Sequence, residues 1–362
     1  MQSMSLPPEP VAAAFGVLVK NCQPIEIGLI NQTFVVHNSL GKDSLILQKL
    51  HPIFAPEVNL DIEAITGRLI CQGLQSTRLL RTLEGKPWFT ENGETWRALT
   101  YVPGVTIESI STPEQARAAA HLVGRFHRAL DGWNYTFHFT RPNAHNTALH
   151  LKRLAQRVAL ELSGHKPDAT IANTANAIEA SAIEIAEQIL ARGQSRPPLP
   201  QLLSKRICHG DLKISNVRFE QSSSPVVAHS LIDLDTMGWQ LLAYELGDAM
   251  RSWCHQGSED DDNPQFDSQI FAAALTGYCE AVGDTLGEDE LKSVVVGTET
   301  ICLELAARFC LDIFEDDYFG WNPNRFQSRR AHNLARARSQ LELSKKVQQQ
   351  AIQLTQIIES LL

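Results

Sequence analysis

The sequence predicts an α+β chain of two lobes: a small antiparallel sheet with one helix over residues 1–103, and a larger, mostly helical lobe over 104–362. Three observations carry this. Alternating apolar and polar residues recur between residues 25 and 102, the period of half-buried strands. Pro103-Gly104 then breaks the pattern, and apolar residues follow at helical spacing almost to the C-terminus. Inside that helical part lies one stretch of loop and hairpin character, residues 207–235 (ICHGDLKISNVRFEQSSSPVVAHSLIDLD).

In chain order, residues 9–20 read as a short amphipathic helix. Residues 25–37 (IEIGLINQTFVVH) and 44–50 (SLILQKL) read as two strands joined by a polar turn. Residues 59–75 form a helix, and strands near 76–83 and 95–102 complete the sheet. Thr112 and Pro113 suit the N-cap and first position of a helix running to residue 130. Its His121 and His127, near the apolar face, read as core histidines. Helices over about 144–163 and 168–193, the second closed by Gly193, lead through the stiff Pro197-Pro198-Leu199-Pro200 connector. Two short strands, 217–219 and 228–232, flank the turn at Ser222-Ser223-Ser224-Pro225. Helices then begin near Tyr244 and span about 265–282, 287–313 and 327–360.

The chemistry sits in His209-Gly210-Asp211-Leu212-Lys213-Ile214-Ser215-Asn216 and in Ile232-Asp233-Leu234-Asp235. A tight loop puts Asp211 and Asn216 on one side of a cleft, and the hairpin returns Asp233 beside Asn216, so a carboxylate and an amide oxygen can share a hard cation. An ordinary hairpin needs no three polar groups at these spacings. Phosphoryl transfer does: one Asp accepts the proton of the attacking hydroxyl, and the Asn and second Asp hold Mg²⁺. An intact Asp211, Asn216 and Asp233 argue against a non-catalytic binding module on the same scaffold. In such an enzyme the first hairpin covers the nucleotide phosphates, where Gly28, Asn31 and Thr33 would supply donors. A single glycine leaves a plain hairpin turn equally open. Strand 45–50 should present a phosphate-pairing side chain, and alternation lets only one of Gln48 and Lys49 face the cleft. Glu63 or Asp61 is the candidate acidic partner, or else a carboxylate favoured in a helix's first turn. The adenine would lie against strand 98–102 and bond to the backbone at Tyr101 and Val102. Asp248 is expected to hold the catalytic loop's shape.

Composition limits the alternatives. A net charge of −9 with no basic stripe argues against nucleic-acid binding. No apolar run is long enough to span a bilayer, and the start, MQSMSLPPEP, lacks the marks of a signal peptide. Seven scattered cysteines without metal spacing read as reduced thiols of a cytoplasmic protein. The absence of an APE-bounded segment after Asp233 argues against a protein kinase.

HGDLKISN with LIDLD, a sheet lobe of this length and a helical second lobe resemble the aminoglycoside phosphotransferase and choline kinase superfamily. Within it the chain is most similar to the N-acetylhexosamine 1-kinases, through Asn31-Gln32-Thr33, Leu47-Gln48, Val58-Asn59-Leu60, Trp96-Arg97, residues 231–236, Gly247-Asp248, Arg308-Phe309 and Asp317-Tyr318-Phe319. The resemblance implies a bilobal eukaryotic-protein-kinase-like fold holding ATP and Mg²⁺ between the lobes. It implies Asp211 as base, Asn216 and Asp233 as metal ligands, and Lys213 as a cation near the γ-phosphate. It also implies a small-molecule acceptor, a sugar or amino sugar, held by Arg308 and the Asp316-Asp317-Tyr318 segment. Leu29 departs from the histidine of those sugar kinases, and Gln48 from the Lys or Arg of the wider superfamily. The alternative acceptor is an amino alcohol or aminoglycoside whose ammonium group meets the acidic run 259–262, otherwise a solvated loop. The alternative for Arg308 is an ion pair with Asp312, one turn on.

Overall fold

The computed structural model describes residues 6–25, 31–38, 41, 43–164, 174–222 and 224–362. The expectations placed on Gly28, Leu29, Ser223 and residues 168–173 lie outside these. A short helix α1 (Glu9–Ala14) precedes strands β1 (Cys22–Ile25), β2 (Gln32–His37) and β3 (Asp43–Lys49). Helix α2 (Val58–Cys71) and strands β4 (Leu79–Leu80), β5 (Phe89–Glu91) and β6 (Glu94–Thr100) follow. The antiparallel sheet runs β1-β2-β3-β6-β4, with β5 folded onto β6. The predicted helix over 9–20 stops at Ala14, and Gly16 then turns the chain at φ 68°, a conformation that glycine adopts at no steric cost.

Strand alternation sorts the sheet into two faces. Phe34, Val36, Leu47, Trp96 and Ala98 pack with Val11 of α1 in one small core. The cross-strand row Thr33, Gln48 and Arg97 lies on the opposite face, since the register pairs Thr33 with Gln48 and Gln48 with Arg97. Helix α2 does not pack with that sheet core. Its Ile62, Ile65 and Leu69 join the large core of the helical part.

That part comprises α3 (Pro113–Leu130), α4 (Thr147–Gly164), α5 (Thr174–Ser195), strands β7 (Lys205–Cys208), β8 (Val217–Phe219), β9 (Ala228–Leu231) and β10 (Gly238–Leu241), then α6 (Leu242–Trp253), α7 (Ser268–Val282), α8 (Glu288–Glu315), α9 (Arg329–Gln349) and α10 (Ala351–Glu359). Thr112 is the N-cap of α3, as its sequence predicts, and Gln115 makes the cap reciprocal. Helix α5 runs past Gly193 to Ser195, and the expected last helix breaks at Gln350 into α9 and α10. Strands β7 and β10, too short and too far apart to pair on paper, are antiparallel partners that bracket the loop with Cys208 opposite Gly238.

Helix α8 is buried on most sides and forms the axis of the helical part. Helix α6 crosses it closely because both carry glycine at the crossing. A Cβ on Gly297 would overlap the Ala243 carbonyl oxygen, and one on Gly247 would lie 2.7 Å from the Gly297 carbonyl carbon. Neither contact can be relieved by a rotamer change. Gly297→Ala is therefore expected to cost about 3 kcal/mol or more and lower Tm by several degrees in a thermal melt. An unchanged Tm would show that the helices part at no cost.

Candidate active site

The loop after β7 is suspended from α6. Three residues at i, i+3 and i+7 put Glu245, Asp248 and Ser252 on one face of that helix. Glu245 accepts from the N–H groups of His209 (2.7 Å) and Gly210 (2.9 Å). Asp248 accepts from Leu212 N–H (3.0 Å), and Ser252 Oγ from Ile214 N–H (3.2 Å). Trp253 Nε1–H closes the set by donating to the Leu212 carbonyl (2.8 Å). Gly210 takes φ 80°, and a Cβ there would overlap the Thr236 carbonyl. His209 ties the loop to the hairpin: Nε2–H donates to Ile232 O (2.9 Å) and Nδ1 accepts from Asp211 N–H (3.3 Å).

Beneath Glu245 lies buried His127, which donates Nε2–H to Glu245 (3.3 Å) and accepts the Tyr278 hydroxyl at Nδ1 (2.8 Å). Burial holds His127 below its ordinary pKa, so it is neutral. Burial pushes Glu245 up, but His127, His209 and the Gly210 N–H outweigh it and keep the carboxylate ionised. Cys208 completes a group with His127 and Glu245 whose atoms lie within 4.8 Å of one another. Burial drives its thiol well up. The expectation of a core histidine thus holds for His127, with loop support added, but not for His121, which is exposed.

Four side chains converge at the loop's open edge. Lys213 Nζ lies 3.0 Å from Asp211 Oδ2 and 3.8 Å from Asp233 Oδ2. Asn216 donates through Nδ2 to Asp211 O (2.9 Å) and Oδ2 (3.2 Å), which turns its Oδ1 away from the loop. No described donor hydrogen-bonds Asp233, which sits in the left-handed region at φ 64° between Asn216 and Asp235. Burial raises the Asp211 pKa, but Lys213 and His209 overcome it and leave the net shift downward. Asp233 is raised, by burial first and then by Asp235 and Asp211. Burial would lower Lys213, yet the two carboxylates hold it above its ordinary value. A carboxylate beside an amide oxygen is a donor set that suits a hard divalent cation.

The sheet reaches this edge through charge. Arg97 forks onto Asp235, with both side chains 1% exposed, and its second contact measures 2.8 Å. Its Nε–H donates to Gln48 Oε1 (2.9 Å), and Gln48 Nε2–H to Thr33 Oγ1 (3.0 Å). Asn31 Nδ2–H donates to Asp235 Oδ2 (2.7 Å). Gln48 is therefore the member of its pair that faces inward, while Lys49 pairs with Glu94. Two expectations need correction. Glu63 does not orient Gln48 or Lys49; it forks onto Arg81 at the surface (2.6 Å). Asp61 is also unavailable, because it accepts from Tyr135 Oη, His138 N–H and Phe139 N–H at 2.8–2.9 Å. With Gln48 uncharged, no strand cation needs a helix carboxylate. At the strand end, Arg218 donates to the carbonyls of Val102 (3.0 Å) and Gly104 (2.6 Å) and lies over Tyr101.

Below the loop, Arg308 lies over the rings of Tyr318 (5.7 Å) and Phe319 (5.5 Å), and Arg141 donates to the Tyr318 hydroxyl. Arg308 is not paired with Asp312. Asp312 accepts instead from Tyr318 N–H (2.9 Å), Phe319 N–H (3.0 Å) and Asn333 (2.8 Å). Asp316 turns to Arg329 and Arg330 at 3.7 Å, whereas Asp317 is exposed. His145, half-buried and at φ 52°, stacks on Tyr244 and faces Glu304 at 3.5 Å. Burial opposes its charge, but Glu304 and then Asp248 outweigh it and raise its pKa. Glu245, Ser252, Arg97 and Asp235 were not assigned roles from the sequence. The Glu245–Asp248–Ser252 spacing was the signal available for the first two.

A model of the phosphotransferase enzyme family (APH) matches residues 21–283. Among solved structures the chain is similar to an amicoumacin kinase in complex with AMP-PNP, Ca²⁺ and Ami (TM-score 0.62, 13% identity, 94% of this chain and 93% of that one). It is similar to an aminoglycoside phosphotransferase from Alicyclobacillus acidocaldarius (0.61, 17%, 97% and 98%), and to choline kinase from Cryptosporidium parvum (0.55, 13%, 94% and 91%). These likenesses bear on the fold, a protein-kinase-like pairing of antiparallel sheet and helical part.

Arg97→Met leaves Asp235 charged and buried, and should cost about 3–5 kcal/mol. The double variant Arg97→Met with Asp235→Leu should recover most of that loss in denaturant unfolding. Equal losses in single and double variants would show that the pair is not the source.

Proposed function

We propose, from the premise that the chain belongs to the phosphotransferase enzyme family, that it is an ATP- and Mg²⁺-dependent kinase of a small-molecule hydroxyl, a sugar or amino sugar. The observation that carries this reading is the Asp211 carboxylate, anchored through its loop to α6, beside Lys213, Asn216 and Asp233.

Asp211, its pKa held, against burial, below the ordinary carboxylate value by Lys213 and His209, orients the acceptor hydroxyl and takes its proton as the new O–P bond forms and the bond to the leaving ADP breaks. Lys213 keeps its charge and faces the transferring group. Asn216 Oδ1 and Asp233 would hold Mg²⁺, which when bound supplies neutralisation of phosphate charge. Asp235 is committed to Arg97 and Asn31 and is not a ligand in this reading. Asn31, Thr33 and Gln48 form the polar floor under the phosphates, as neutral donors in place of a strand lysine. The adenine would take the Val102 N–H, because Arg218 holds the Val102 carbonyl. The acceptor would lie along Arg308 and Tyr318 with Asp317 at the rim, while Asp316 positions the segment through Arg329 and Arg330.

Asp211→Asn should lower kcat by roughly two to four orders of magnitude and leave the Kd for ATP close to wild type. An ADP-release assay over a panel of sugars and amino alcohols reads it, and retention of more than about a tenth of wild-type kcat would remove Asp211 from the role. Asp233→Ala should weaken nucleotide binding only when Mg²⁺ is present. The check is nucleotide titration with and without the metal, and an unchanged metal dependence would exclude Asp233 as a ligand.

A further inference from the structure

One segment joins the Tyr318 wall to a buried charge. Residues 141–147 run from Arg141, which donates to the Tyr318 hydroxyl, to Thr147, whose Oγ1–H donates to Glu304 Oε2 (2.6 Å). Between them stands His145. Its φ of 52° is a left-handed value that residues with a side chain adopt at a cost. Such strain persists only where the surroundings over-determine it, and here they do. The imidazole stacks on Tyr244, 5.8 Å between ring centroids and 25° between planes, and turns Nδ1 to Glu304 Oε1 at 3.5 Å. Next to it Asn146 accepts from Leu149 N–H (3.1 Å) and caps α4.

Helix geometry sets where this ring lies. Tyr244 is one turn before Asp248, on the face of α6 from which the catalytic loop hangs. Glu304 is one turn before Arg308, on the face of α8 that meets Tyr318. His145 touches both faces and fills their junction, between the loop's support and the Arg308 wall.

Glu304 accounts for one nitrogen of the ring and leaves the other. The carboxylate is 2% exposed, and an ionised group so placed needs partners. Burial alone would raise its pKa, yet His145, Thr147 and Arg308 hold it down. An ionised Glu304 keeps a proton on Nδ1, which is closed to solvent. The side chain is nonetheless 13% exposed, and Nε2 is neither closed off nor bonded to any described residue. Two neighbours are in the same condition. The Tyr244 hydroxyl and the Arg308 guanidinium, both half-buried, make no hydrogen bond among the described residues. An imidazolium N–H and a guanidinium donate and cannot accept. A hydroxyl or carbonyl oxygen satisfies them; an ammonium group, a donor only, does not.

Resting on the kinase reading, we propose that His145 is an acceptor-binding residue. Its Nε2–H donates to a hydroxyl or acetamido oxygen of the sugar beside Arg308, and this bond favours a polyhydroxyl acceptor over an amino alcohol.

Calorimetric titration of N-acetylglucosamine and of choline into protein loaded with AMP-PNP and Mg²⁺ tests it. Asparagine tolerates the left-handed backbone but is too short to put a donor where Nε2 stands. His145→Asn should therefore bind the sugar about tenfold or more weakly, with the Kd for AMP-PNP unchanged. Wild type should bind the sugar more tightly than choline. An unaltered sugar Kd in His145→Asn, whatever its Tm, makes His145 a structural partner of Glu304 and overturns the proposal. So does choline bound by wild type more tightly than the sugar. Should His145→Asn not fold, a fully extended Met at the position, His145→Met, is read in the same way. A failure of the kinase reading shows separately, as turnover that survives Asp211→Asn.

Discussion

The structure depends on one buried ion pair. Arg97 comes from the middle of the sheet and Asp235 from the segment two residues beyond Asp233, and each is 1% exposed. Two charges taken this far from water are favourable only when both are paired and hydrogen-bonded. Gln48, Thr33 and Asn31 supply the remaining bonds. The sheet is thereby locked to the segment that presents Asp233, and the left-handed turn at Asp233 is held from both sides. The same row replaces a strand lysine paired to a helix carboxylate, which explains why Glu63 is free to pair with Arg81.

A second constraint works from below. Helix α6 accepts four consecutive-region amides of the loop through Glu245, Asp248 and Ser252, and its own position is set by the glycine crossing with α8. Neutral His127 and the Tyr278 hydroxyl keep Glu245 aimed upward. The loop is thus held where its backbone is bonded to α6, and it presents half-exposed Asp211 and Lys213 in front of buried Asn216. A site of this kind works by positioning charge that costs no reorganisation when the reaction occurs.

Arginine matches two acidic segments of the helical part. The run at 259–262, which on paper is a solvated loop or a trap for a cation, has its first two carboxylates matched by Arg251, Arg325 and Arg336. Asp316 is matched by Arg329 and Arg330 in the same way. Planar guanidiniums suit this because they pair with a carboxylate and stack on a ring at once, as Arg336 does over Phe309.

The sequence by itself determined the antiparallel-sheet part, the helical part and most of the helices, because these are local, a matter of period and caps; the spacing of Asp211, Asn216 and Asp233 within one loop and hairpin likewise marked them as a candidate set. It also singled out Asp248 as the loop's support. The tertiary structure decided which partner each charged side chain takes. Arg97 and Asp235 are 138 residues apart, Asp61 is 74 from Tyr135, and Glu63 could be assigned a role but not its actual neighbour. Strands β7 and β10 pair only because the loop between them folds back. Hydrogen bonds and ion pairs act over a few ångströms, so their outcome depends on how distant segments pack, and no local pattern records that.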